Sequence, residues 1–241
     1  MDSLLRTLRL KDALQYIHAA GVVFIIGFMI VTLLLAFVSG FLFVIGCILT
    51  AWCIYFFRDP PRIAPTRAGL IVSPADGRVV AVAKVKPAAD LGLGEEDRWR
   101  ISIFLNIFDV HVNRMPADGK VAARHYRPGK FVNAVLDKAS EDNERMALVL
   151  ELGGDHPYVG KTMGVVQIAG LIARRIVCDA GRGHTYKAGE RYGIIRFGSR
   201  ADVYLPVGVQ PLVAVGQYMI GGETVVADCQ SSEPPRKGEL R

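Results

Sequence analysis

The sequence predicts a mainly β (α+β) fold, a β-rich body carried behind an N-terminal membrane helical hairpin, and three observations lead there. Residues 19–57 contain no Asp, Glu, Lys or Arg. After Pro60-Pro61 the long apolar run gives way to short segments rich in Val, Ile and aromatics, separated by glycine and other turn residues, which read as strands. Only two stretches of the body, Phe131–Lys138 and Leu171–Val177, carry a helical pattern. At 241 residues the chain has room for one ordinary domain and an appendage.

The appendage comes first. Helical at 1.5 Å per residue, Ala19 to Phe57 would measure about 58 Å, nearly twice the roughly 30 Å hydrocarbon core of a bilayer. One crossing is too few for this run. Ser39-Gly40 divides it into two segments that each approach the roughly 17–25 residues a crossing needs, so a hairpin over residues 1–57 is expected. Arg6, Arg9 and Lys11 precede the run while Arg58, Arg62 and Arg67 follow it, and positive charge at both ends places both on the cytoplasmic side of the cell membrane. A cleaved signal peptide would have a far shorter apolar region. Two helices lying shallowly in one leaflet satisfy the same hydropathy, and the sequence leaves that choice open.

The body follows over residues 58–230. Strands are expected at Leu70–Val72, Arg78–Val85, Arg100–Phe104, Lys120–His125, Ala147–Leu152, Gly164–Ala169, Tyr192–Phe197, Ala201–Leu205 and Thr224–Ala227. Gly92–Trp99 and Glu141–Arg145 read as polar loops. Pro206–Ala227 sets Val and Leu against Gly-containing turns, a pattern similar to the barrel-sandwich hybrid folds of lipoyl and biotinyl carriers. Residues 231–241, with two prolines and mixed charge, read as a flexible tail.

The formal net charge of +6 is modest, and basic residues beside an apolar hairpin suit an anionic lipid surface. No zinc finger, RNP motif or long Lys/Arg run points to nucleic acid. Cys47 and Cys53 lie in the apolar run, while Cys178 and Cys229 stand apart, with no C-x-x-C pair, so reduced thiols are expected. No P-loop and no G-x-S-x-G occurs, and Gly181-Arg-Gly-His-Thr-Tyr186 breaks G-x-G-x-x-G at its last position.

The chemistry begins in Arg191-Tyr-Gly-Ile-Ile-Arg-Phe-Gly-Ser-Arg200. In a tight Gly-Ser bend the Ser199 hydroxyl can attack the Gly198 carbonyl, converting amide to ester. Elimination then leaves dehydroalanine, which hydrolyses to an N-terminal pyruvoyl group. Glycine helps because it has no Cβ to obstruct the attack. By itself the pair is equally well explained as a bend between two strands.

Two further segments change the balance: Ser73-Pro-Ala-Asp-Gly77 and Phe108-Asp-Val-His-Val-Asn-Arg-Met-Pro-Ala-Asp-Gly119. With Lys187-Ala-Gly-Glu-Arg-Tyr-Gly-Ile-Ile-Arg-Phe-Gly-Ser199 they fall in one order and spacing, and over about residues 58 to 228 the chain resembles the phosphatidylserine decarboxylase proenzyme family in its short bacterial form. That resemblance implies a hybrid-barrel body, autocatalytic cleavage between Gly198 and Ser199, and chains 1–198 and 199–241 that stay associated. It also implies a covalent pyruvoyl cofactor derived from Ser199, a phospholipid substrate (phosphatidylserine) taken from the membrane, and phosphatidylethanolamine and carbon dioxide as products. An ether-lipid analogue as substrate and a homo-oligomeric state are left open.

Within the resembling motifs, His111 is the expected proton donor, since imidazole titrates near operating pH; Asp109 and His111 alternating on one strand face would equally make a structural pair. Asp76 matches an aspartate that orients a histidine during self-cleavage in longer members, although an aspartate before a glycine is also ordinary turn chemistry. Those longer members carry a second histidine three residues after the first, where this chain has Arg114. Their relay does not transfer intact, so the base for Ser199 stays open, and Arg114 becomes a candidate to bind the substrate's phosphate or carboxylate. His18, His125, His156 and His184 read as incidental. Two other classes were weighed. A carrier domain needs a lysine in its hairpin turn, which Gly221-Gly222 lacks, and a metallohydrolase on Asp76, Asp109 and His111 lacks an H-x-x-x-H pair; no metal is expected.

Overall fold

The computed structural model describes residues 16–129, 143–170, 175–196 and 199–239. The chain forms two compact units, residues 1–61 and 62–241.

In the first unit, α1 (Ala19–Ala36) and α2 (Gly40–Phe56) pack as a pair. The break falls at the predicted Ser39-Gly40. Ser39 Oγ accepts from the Phe41 amide at 3.2 Å and caps α2. His18, expected to be incidental, caps α1 through Nδ1, which accepts from the Ala20 amide at 3.2 Å. The helices approach through small residues. A Cβ on Gly46 would lie 2.7 Å from Thr32 Oγ1, and Thr32 and Thr50 hydroxyls meet at 3.0 Å, with Thr50 donating onward to the Gly46 carbonyl at 2.8 Å. Close backbones and a threonine bridge are how apolar helices associate where no hydrophobic difference from the solvent drives them together. Among the described residues α1 is the one helix long and apolar enough to cross a membrane; α2, with 17 residues, is shorter.

The second unit is mainly β, as expected. An eight-stranded antiparallel sheet runs in the order β12 (Tyr218–Met219), β2 (Gly77–Val85), β3 (Arg98–Leu105), β11 (Ser199–Tyr204), β7 (Thr162–Ala169), β6 (Arg145–Leu152), β5 (Gly119–Arg127), β9 (Thr185–Tyr186). Beside it, β10 (Arg191–Ile195) is flanked by β4 (Val112–Arg114) and β8 (Ile176–Cys178), and β1 (Leu70–Val72) pairs with β13 (Val225–Asp228). The nine predicted strands are all present, with ends that differ by at most two residues. β4, β8, β9 and β12 were not anticipated, because two or three residues are too few to show a period.

The helical expectation for Leu171–Val177 is overturned where it can be seen. Ile176 and Val177 lie in β8, paired with Ile195 and Ile194, so cross-strand bonding outweighs a weak local pattern. Phe131–Lys138, the other helical expectation, lies outside the described residues. Residues 231–239 have no regular structure, and Arg236 there donates to the carbonyls of Pro211 and Leu212. All four cysteines are free.

The main core lies on one face of the large sheet, where Val79, Ile101, Ile103, Leu148, Leu150, Val165 and Val203 meet Ile71 and Val226 of the small one. Leu91 and Leu93 cover Val149, Val166, Ile168 and Tyr204 on the other face. β6 and β7 are therefore buried on both sides, which is why they read as nearly unbroken apolar runs.

Gly77 anchors the Ser73–Gly77 turn to this sheet. Its φ is +140°, and a Cβ there would sit 2.2 Å from the Phe104 carbonyl oxygen. Gly77→Ala is therefore expected to cost more than about 3 kcal/mol, the strain of a disfavoured backbone added to a backbone clash. Thermal unfolding of the full-length protein in detergent checks this; an unshifted midpoint would contradict it.

Candidate active site

Ser199 opens β11 between two strands, opposite Leu105 of β3 and Ala169 of β7. Residues directly opposite in antiparallel strands point to the same face, and residues two apart along a strand share it. Ser199 and Ala201 thus share a face with Ile103, Leu105, Gln167 and Ala169. The Ser199 side chain is fully buried, and its hydroxyl has no hydrogen-bond partner among the described residues. An unsatisfied buried hydroxyl costs about 1–3 kcal/mol, and such groups are found where reactivity or another partner requires them. Gly198 lies outside the described residues.

Two loops reach this face. Ala75 packs against Leu105 and Ala201, which brings the Ser73–Gly77 turn and Asp76 beside the strand that Ser199 opens. Ile195 packs with Ala169, and its amide donates to the His111 carbonyl at 3.3 Å. The sequence-predicted residues Asp76, His111 and Ser199 therefore converge from three segments far apart in the chain.

His111 is completely buried, immediately before β4. Its Nδ1 lies 2.9 Å from the Asp109 carbonyl oxygen. A carbonyl can only accept, so Nδ1 carries the proton and Nε2 is the nitrogen left to exchange one. The Asp109–His111 pair is thus real, but it runs through backbone. The Asp109 carboxylate instead accepts from Tyr218 OH at 2.8 Å and from the Asn106 amide at 2.7 Å.

Asp76 is buried, with one oxygen accepting from Arg62 Nη2 and the other from the Gly221 amide, both at 2.7 Å. Burial raises its pKa more than the Gly221 amide and the Arg62 charge lower it, and the nearby Asp109 charge adds to the rise. Its carboxylate thus meets an arginine and a backbone amide. Arg114 is also buried; its Nη1 donates to the Gly189 carbonyl at 2.9 Å. It lines a cavity of about 470 Å³ with Arg62, Arg191, Glu190 and Gly189. Three guanidinium groups and the Glu190 carboxylate thus line one cavity, and Arg62 among them is already paired with Asp76. Among the described residues no three His, Cys, Asp or Glu side chains group as metal ligands.

Sequence reading missed Asn113 and Gln167. Both are fully buried, Gln167 Nε2 donates to Asn113 Oδ1 at 2.8 Å, and Asn113 Nδ2 and Gln167 Oε1 have no partner among the described residues. Gln167 sits on the face of Ser199, opposite Ala201. A lone amide in a strand carries no motif, and nothing in the sequence signals that two of them will meet.

The family model described as phosphatidylserine decarboxylase matches residues 49–227. A protein of Granulibacter bethesdensis named phosphatidylserine decarboxylase proenzyme is 57% identical over 211 residues, 88% of this chain and 84% of its own. Proteins of the same name from Cereibacter sphaeroides and Rickettsia rickettsii are each 54% identical, over 96% and 90% of this chain and 98% and 92% of theirs.

Proposed function

The chain belongs to the phosphatidylserine decarboxylase family, and from that membership we propose that it cleaves itself between Gly198 and Ser199, carries a pyruvoyl group at residue 199, and decarboxylates phosphatidylserine to phosphatidylethanolamine. The observation that carries this reading is the Ser199 hydroxyl, buried at the head of β11 and without a hydrogen-bond partner among the described residues. It fits the origin of such a group: an oxygen held away from water, with no competing hydrogen bond, beside the peptide bond it attacks.

In this reading Ser199 Oγ bonds to the Gly198 carbonyl carbon while the residue 199 nitrogen takes up a proton and leaves as an amine. Loss of the Ser199 Cα proton then breaks the Cβ–Oγ bond. Gly198 departs as a free carboxylate, and one water converts the dehydroalanine to the keto group with release of ammonia. Asp76, its pKa raised by burial, serves the proton traffic of these steps. Once in place, the pyruvoyl carbonyl supplies the electron sink for the charge left as carbon dioxide departs. His111 delivers the proton to that carbon from Nε2, its ring fixed by the Asp109 carbonyl. Arg114, with Arg62 and Arg191 around the shared cavity, holds the anionic headgroup.

Intact mass of the purified protein tests the proposal. Two chains are expected, one ending at Gly198, the other covering residues 199–241 and lighter by one ammonia than a serine-terminated chain; a single species of full-length mass in active protein would overturn it.

The hairpin gives this chemistry its place. Residues 19–57 tether the enzyme to the membrane, with the body on the cytoplasmic face. Deleting residues 1–57 is expected to move the body into the soluble fraction and to lower activity on bilayers more than on dispersed short-chain substrate. Protease treatment of inside-out vesicles checks the orientation: a body shielded there and digested only from the outer face reverses it.

A further inference from the structure

Five exposed apolar side chains lie on the segments that carry or contact Asp76 and Asp109. Ile107 and Phe108 form the tip of a turn and are 38% and 59% exposed, Tyr218 is 49% exposed, Ile220 36% and Ile63 87%. The contacts beneath them join these residues into one rim. Tyr218 OH donates to Asp109 Oδ1, the Gly221 amide after Ile220 donates to Asp76 at 2.7 Å, and the Ile63 amide donates to Glu223 Oε1 at 2.8 Å in the same turn.

The tip is not a loose loop. The Asn106 amide donates to the Asp109 carboxylate at 2.7 Å, the Asp109 amide to the Asn106 carbonyl at 3.0 Å, and the Phe108 amide to Asn106 Oδ1 at 2.7 Å. Three hydrogen bonds thus hold an isoleucine and a phenylalanine out toward solvent, against the usual preference for burying them. The neighbour of Tyr218 across the sheet is basic: exposed Arg78 lies opposite it. Aromatic and aliphatic tips with an adjacent arginine match the boundary of an anionic bilayer, where the apolar groups enter the acyl region and the cation meets headgroup charge. Ile63 also lies only two residues beyond Pro61, where the helical unit ends, so this rim begins within about 7 Å of chain from that unit.

We propose that the rim formed by Ile63, Ile107, Phe108, Tyr218 and Ile220 inserts into the surface of an anionic lipid bilayer, a second membrane contact that belongs to the β body itself. For its lipid occupant this rests on the function proposed above. It brings the mouth of the site to the headgroup layer, so that the substrate need not leave the membrane to reach residue 199.

Full-length Phe108→Trp protein in vesicles of phosphatidylserine and phosphatidylcholine tests insertion without reference to activity. Relative to unsubstituted protein, the added tryptophan emission is expected to be blue-shifted, quenched by lipids brominated along the acyl chain and protected from iodide. Added emission that iodide quenches and brominated lipid does not would overturn the proposal. A second arm uses the Ile107→Ser, Phe108→Ser double variant. KM for bilayer substrate should rise at least about tenfold, from the lost burial of two large apolar side chains, while turnover of dispersed short-chain substrate stays unchanged. An equal loss on both substrates would assign the tip to the fold or the chemistry, and no change on either would make it an idle surface; both outcomes overturn the proposal. If unsubstituted protein decarboxylates neither substrate, the proposed function fails, and the fluorescence arm still decides insertion.

Discussion

Ser199→Ala leaves a single full-length chain on a denaturing gel and reduces decarboxylation to background. The substitution deletes one atom, the oxygen that in the proposed reaction attacks Gly198 and is later eliminated from Cβ; the residue is fully buried, and its partners across the sheet, Leu105 and Ala169, are both apolar. A loss through misfolding is distinguishable. Among the described residues the hydroxyl lacks a partner, so removing it is expected to relieve a desolvation cost of about 1–3 kcal/mol and to break no hydrogen bond there. The variant should unfold no earlier than uncleaved parent protein. Cleavage at residue 198 persisting in the variant, or a markedly lower unfolding midpoint, would sink the assignment.

His111→Ala is expected to lower decarboxylation by about 10²–10⁴-fold, the range for a lost general acid or base. The structure sharpens the choice of variants. Nδ1 is committed to the Asp109 carbonyl, so His111→Gln, whose amide can donate to that carbonyl but cannot exchange protons near neutral pH, should preserve the local fold while staying close to the alanine variant in rate. Single-turnover measurements on correctly cleaved protein isolate this step from maturation. Full turnover in a cleaved His111→Ala enzyme would return the residue to a structural role. Slow cleavage in the same variant would identify His111 as the base for Ser199 as well, the question that Arg114 in place of a second histidine left open.

Much of this molecule is written locally and was therefore legible. Charge-free length and the Ser39-Gly40 break are properties of contiguous residues, and both appear as α1 and α2 with Ser39 as a cap. Strands buried on one or both faces carry their own pattern, so nine of them could be read. The Phe-Gly-Ser element and the Ser73–Gly77 and Phe108–Gly119 segments are short enough to be recognised as they stand. They named Ser199, His111 and Asp76 without any coordinates.

What joins those residues is not local. Asp76 is brought beside Ser199's strand because Ala75 packs on Leu105 and Ala201, and His111 is set by a bond to Ile195, which packs against Ala169. Each link pairs segments tens of residues apart, and a sequence read along its length holds no record of such distances. The same reason hid Asn113 and Gln167, whose shared hydrogen bond spans 54 residues, and Arg62, which meets Asp76 across 14. It also turned Ile176 and Val177 from an expected helix into β8, since a short segment takes the backbone of the strand it pairs with when its own preference is weak. The sequence by itself determined the family motifs, the candidate residues they carry and the apolar helical pair that precedes them. Only the tertiary structure decided which groups surround the reacting serine, because burial, strand register and packing are set jointly by residues that local order keeps apart.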